Sequence, residues 1–102
     1  MKRPSYVLCA LSLACPLTAA IGQTCTVTSH GLSNDVDCQE TADFSSPVVQ
    51  VFHPGDRVEV VCKKSVDMGT WTALFYRTVD GCYFSYGNAA DCDPDHIRAC
   101  RR

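Results

Sequence analysis

Beyond residue 22 the polar and apolar positions alternate in short runs, the period of strands with one buried face. Thr24-Cys25-Thr26-Val27-Thr28-Ser29 is β-branched and alternating, and it predicts a first strand. A turn region, His30-Gly31-Leu32-Ser33-Asn34-Asp35, separates it from a short second strand at Val36-Asp37-Cys38. Gln39 to Pro47 is polar and loop-like, and Pro47-Val48-Val49-Gln50-Val51-Phe52 is the next strand. His53-Pro54-Gly55-Asp56 places a fixed φ before a residue that tolerates positive φ, which suits a type II turn. Arg57-Val58-Glu59-Val60-Val61-Cys62 then resumes as strand, with Val58, Val60 and Cys62 inside and Glu59 outside.

Lys63 to Thr70 reads as an exposed loop. Leu74–Val79 and Cys82–Tyr86 flank Asp80-Gly81, which predicts a hairpin closed by a two-residue type I′ turn. That closure pairs Val79 with Cys82, Arg77 with Phe84 and Phe75 with Tyr86. The tail, Asp93 to Arg102, predicts a short helix: Asp93 caps it, Pro94 fits its first turn, and arginines favour its C-terminal end. No repeat or long linker divides the chain, so one all-β domain of about five short strands is expected.

The leading segment has a different grammar. Met1-Lys2-Arg3 is positive, Tyr6 to Cys15 is an apolar run, and Ala19-Ala20-Ile21-Gly22 supplies small residues for cleavage. This predicts a signal peptide over residues 1–22, with a second small-residue site at Thr18-Ala19-Ala20, and a secreted, extracellular domain over 23–102. The apolar run is well short of the ~20 residues of a membrane span. The domain carries seven Lys/Arg against eleven Asp/Glu, a net charge of −4. That balance argues against nucleic acid or anionic membrane as a partner, and the clustered Arg98, Arg101 and Arg102 make only a small patch.

Six cysteines remain after Cys9 and Cys15 leave with the signal peptide: Cys25, Cys38, Cys62, Cys82, Cys92 and Cys100. An even number in a small exported chain predicts a disulfide framework, each bridge adding ~2–4 kcal/mol by restricting the unfolded ensemble. No Cys-x-x-Cys pair occurs, so zinc is not expected. The count alone leaves the connectivity open.

Val36-Asp37-Cys38, Ser45-Ser46-Pro47-Val48-Val49, Pro54 to Cys62 and Asp80-Gly81-Cys82-Tyr83-Phe84 follow one another in a telling order. In that order the chain resembles bacterial-type SH3 domains, especially the small secreted cysteine-rich versions of fungi. The resemblance implies a small SH3-like barrel of short antiparallel strands. Members often pair the cysteines equivalent to Cys62 and Cys100, and Cys38–Cys82 with Cys25–Cys92 completes the preferred set. A local alternative joins Cys25 to Cys38 and Cys82 to Cys92. The chain departs from the family where Gln39-Glu40-Thr41-Ala42 replaces an Arg-Ser-Gly-Pro turn, and where Phe75 takes the place of a family Trp.

Candidate chemistry is sparse. Asp91, Asp93 and Asp95 alternate like the start of a calcium loop, but His96, Arg102 and Pro94 break the pattern, and a helix cap explains them. His30, His53 and His96 have no free thiol or Gly-x-Ser-x-Gly serine to activate. The expectation is a protein that is not an enzyme and has no cofactor and no metal. Aromatics are the remaining signal: Phe75 and Phe84 are assigned to the core, and Trp71, Tyr76 and Tyr83 are the ligand-binding candidates. The resemblance implies a recognition module, a candidate effector binding cell-wall polysaccharide or peptide, and a monomer is expected. The alternative is a secreted inhibitor or toxin-like protein that presents Lys63 to Thr70 to an extracellular protein.

Overall fold

The β-branched runs form a single sheet in the computed structural model, which describes residues 22–29 and 35–101. The expected signal peptide, apart from Gly22, lies outside the described residues, as does the turn over 30–34. The strands are β1 (Gln23–Val27), β2 (Val36–Gln39), β3 (Val48–Phe52), β4 (Arg57–Asp67), β5 (Thr72–Thr78), β6 (Tyr83–Ser85) and β7 (Ala89–Ala90). Their order is β3-β2-β6-β5-β4-β1-β7, and every neighbouring pair is antiparallel. The expected five-stranded SH3-like barrel is therefore corrected to an open seven-stranded sheet ending in β3 and β7.

Two departures from the expected strands explain much of this. The segment Lys63–Thr70 is mostly strand rather than loop. Val66 lies opposite Ala73, which gives the extended chain something apolar to pack, and the turn beyond is closed by Met68 N–H donating to the Trp71 carbonyl. Gly69 holds φ +98° there, and its N–H donates to Asp67 Oδ1.

The β5–β6 hairpin also differs by one residue. Thr78 N–H donates to the Cys82 carbonyl, and Gly81 (φ +101°) donates to the Thr78 carbonyl, so the loop is Val79-Asp80-Gly81. A three-residue loop with glycine in the left-handed region replaces the expected type I′ turn. The pairs become Phe75–Ser85, Tyr76–Phe84 and Arg77–Tyr83. A one-residue slip exchanges the faces of a strand. Here it moves Phe84 from beside Arg77 to beside Tyr76, where both rings are buried.

β5 is consequently buried on both sides. Its even-numbered face, with Tyr76, joins the main core of Val27, Val36, Phe52, Val58, Val60, Phe84 and Ile97. Its odd-numbered face places Ala73 and Phe75 in a smaller cluster with Ala42, against which Val66 and Tyr83 pack. Full burial of side chains of this size contributes ~1.5–3 kcal/mol apiece.

The tail forms one 3-10 turn (Pro94–His96) capped by Asp93, not the short helix expected over Asp93–Arg102. Beyond it Ile97 is extended and buried, Lys63 N–H donates to the Arg98 carbonyl, and Cys100 N–H donates to the Lys63 carbonyl. Pairing with β4 holds this stretch straight. The bridges are Cys25–Cys92, Cys38–Cys82 and Cys62–Cys100. The local alternative fails because β6, β5 and β4 separate Cys25 on β1 from Cys38 on β2. Among the described residues, no helix is long and apolar enough to cross a membrane.

Candidate functional site

Strand alternation sends Gln39, Phe75, Arg77, Tyr83 and Ser85 to the face opposite the main core, where Gln39 pairs with Tyr83 and Phe75 with Ser85. The segment 40–47 lies beside this face. Its ends are tied by Glu40 N–H donating to the Pro47 carbonyl, and its interior by Ser46 N–H donating to the Asp43 carbonyl. The Ser45 backbone N–H, and then its hydroxyl, donate to the Asp43 carboxylate and hold it below the usual carboxylate range.

Buried Gln39 fixes this segment to the sheet. Its Nε2 donates to the carbonyl oxygens of Phe44 at 2.6 Å and Ser46 at 3.4 Å. Phe44 thereby lies against Phe75, ring centroids 4.7 Å apart. Trp71, at the tip of the β4–β5 hairpin, is its second aromatic neighbour: the rings are 6.5 Å apart and within 26° of parallel. Phe75 is wholly buried, whereas Phe44 and Trp71 are 48 % and 55 % exposed. The result is a shelf of two exposed rings floored by a third.

The three sequence-derived ligand residues thus part company. Trp71 belongs to the shelf. Tyr83 is half-buried on the same face, with the Arg77 guanidinium 6.0 Å from its ring centre. Tyr76 is corrected to a core residue: it is 1 % exposed, edge-on to Phe84 and Tyr86, and burial pushes its phenol above the ordinary value. A ring enclosed in this way has no face to offer a ligand. Phe44 was missed, because it stands alone in a polar stretch with no periodicity to mark it.

Phe44 also borders a cleft of about 320 Å³, together with the polar side chains of Asp35, Asp37, Gln39, Ser85 and Asn88. Asp35 Oδ1 lies 2.8 Å from His53 Nδ1, within hydrogen-bonding distance. The site therefore offers apolar ring faces and hydrogen-bonding groups side by side. No family model matches the chain, and neither a curated protein nor a solved structure is found to match it.

No group of three His, Cys, Asp or Glu that could hold a metal ion occurs among the described residues. Asp93 instead accepts from Asp95 N–H and from His96, and Asp91 accepts from the Thr26 hydroxyl. All six cysteines of the domain are bridged.

Proposed function

We propose that this is a secreted, non-enzymatic recognition module that binds cell-wall polysaccharide on the Phe44–Trp71 shelf. The observation that carries the reading is the near-parallel pair of exposed rings, held in place by a hydrogen-bonded loop and a closed hairpin. Sugar rings present C–H faces to aromatic planes and hydroxyls to amide and carboxylate groups. The polar cleft beside Phe44 supplies the second half of that match. Aromatic anchors that are already ordered lose little conformational freedom on binding.

The bridged cysteines support export, and none of the cysteines among the described residues is a free thiol. The serial resemblance to bacterial-type SH3 domains supports a binding role on a related, opened-out sheet, and an effector acting outside the cell. The test is retention on insoluble chitin, glucan and peptidoglycan. Wild type should be retained on one of them, and Trp71→Ala and Phe44→Ala should each weaken binding about tenfold, the loss of one well-stacked anchor. A wild-type protein that passes through all three without retention removes the glycan reading.

A second reading rests on Met68, exposed beside Trp71 at the hairpin tip. A rigid apolar tip of this kind fits a protein partner, as an inhibitor would present it. A protease panel left fully active by micromolar protein would discard this reading.

A further inference from the structure

The cleft beside Phe44 is poor in free donors. Gln39 Nε2 already donates to the carbonyls of Phe44 and Ser46, and Asn88 Nδ2 donates to the Thr28 carbonyl at 2.9 Å. No Lys or Arg is among the described residues that line it. Acceptors remain. Gln39 is 6 % exposed, and its Oε1 receives no hydrogen bond from the described residues. A buried carbonyl in that position calls for a donor from outside the chain. Alternation along β2 puts Asp37 on the same face as Gln39. Asp37 is exposed, and its carboxylate has neither an ion pair nor a hydrogen bond among the described residues. The second carboxylate of the lining, Asp35, has His53 beside it.

We infer, on the polysaccharide reading of the Phe44–Trp71 shelf, that this cleft selects a saccharide bearing a free amine, with the ammonium on Asp37 and a hydroxyl on Gln39 Oε1. The ligand class is a cationic amino-sugar polymer, as glucosamine units form, in preference to its N-acetylated or hydroxyl-only counterparts. An ammonium donating to a carboxylate makes a charge-assisted hydrogen bond, stronger than one between neutral groups. An N-acetyl group in the same place would set a carbonyl among acceptors and offer a single N–H. The excess of eleven Asp/Glu over seven Lys/Arg from residue 23 onwards also favours the approach of a cationic chain.

The spread of the acceptors separates a sugar from a basic side chain. A lysine brings its three donors to one point. A pyranose carries amine and hydroxyls around its rim and C–H groups on its faces. The lining distributes its acceptors over Asp37, Gln39, Ser85 and Asn88, with the Phe44 ring beside them. That arrangement fits a rim and a face together.

Calorimetric titration with soluble tetramers of glucosamine, N-acetylglucosamine and glucose tests this at about pH 6, where the carboxylates are ionised. The glucosamine tetramer should bind about tenfold more tightly than either of the others. Asp37→Asn, with unchanged circular dichroism, should bring it down to the N-acetylated level and leave the neutral tetramers as they were. Glu59→Gln removes the same charge outside the cleft and should keep the preference. Equal affinity for all three tetramers, or a preference that survives Asp37→Asn, would overturn the inference and leave the wider polysaccharide reading standing. So would a preference lost in Glu59→Gln, since bulk charge would then be its source. Binding of oligolysine but of no tetramer would also overturn it, and retention on the insoluble polymers would then decide separately on the wider reading.

Discussion

Gln39 reaches out of β2 and donates a 2.6 Å hydrogen bond to the carbonyl oxygen of Phe44, five residues along the chain. A buried amide thus decides where an exposed ring lies. Without it, nothing apolar in the segment except Ala42 and Phe44 itself would hold the loop to the sheet.

Gln39→Leu should therefore loosen the shelf. It keeps the bulk but leaves the Phe44 carbonyl without its donor, a loss of about 1–3 kcal/mol for a buried polar group. Chemical unfolding measures the stability. Trp71 is the only tryptophan, so its fluorescence reports directly on the neighbouring Phe44 ring. Unchanged stability and an unchanged spectrum would show that the loop is held by other means.

The register of the β5–β6 hairpin depends on Gly81 at φ +101°. Gly81→Ala should cost about 1–3 kcal/mol, the strain of a side chain in the left-handed region, while Gly81→Asn should cost less. Thermal melts of the two variants give the comparison. Equal melting temperatures for Gly81→Ala and wild type would mean that the loop has relaxed to another turn.

Acid should weaken the tail. The Asp95 N–H, first, and the His96 side chain bonded to it hold the Asp93 carboxyl below its ordinary range. A carboxyl with a lowered folded-state pKa stabilises the fold above its unfolded value of 3.8. That contribution fades as pH falls from there through the folded value. Melting temperature should accordingly drop below about pH 4, and drop less steeply in Asp93→Asn, which keeps the cap without the charge. Parallel curves for the two proteins would remove Asp93 from the account.

Period-two alternation made the β1 and early β4 stretches legible in the sequence, an apolar run bounded by Pro47 and Pro54 marked β3, and turn chemistry marked Pro54-Gly55 and Asp80-Gly81. Alternation could not say that β4 runs on to Asp67. Lys63, Lys64 and Ser65 look like loop, and only pairing with β5 makes them strand. The Asp80-Gly81 dipeptide fits both a two-residue and a three-residue loop. The choice is made by burial, since only the longer loop puts Phe84 and Tyr76 on one side. Tyr76 passed as a ligand residue for the same reason: its face follows from the register. Trp71 was visible because it stands in the run of aromatics that reaches to Tyr86. Phe44 and Gln39 were not, because their contact runs from a strand end into an irregular loop.

Every bridge joins the stretch before Lys63 to the stretch after Gly81: Cys25 to Cys92, Cys38 to Cys82 and Cys62 to Cys100. A protease that clips the hairpin tip between Asp67 and Thr72 would thus release no fragment. The severed halves would stay stitched at three points, and the nick would be silent until a reductant arrived.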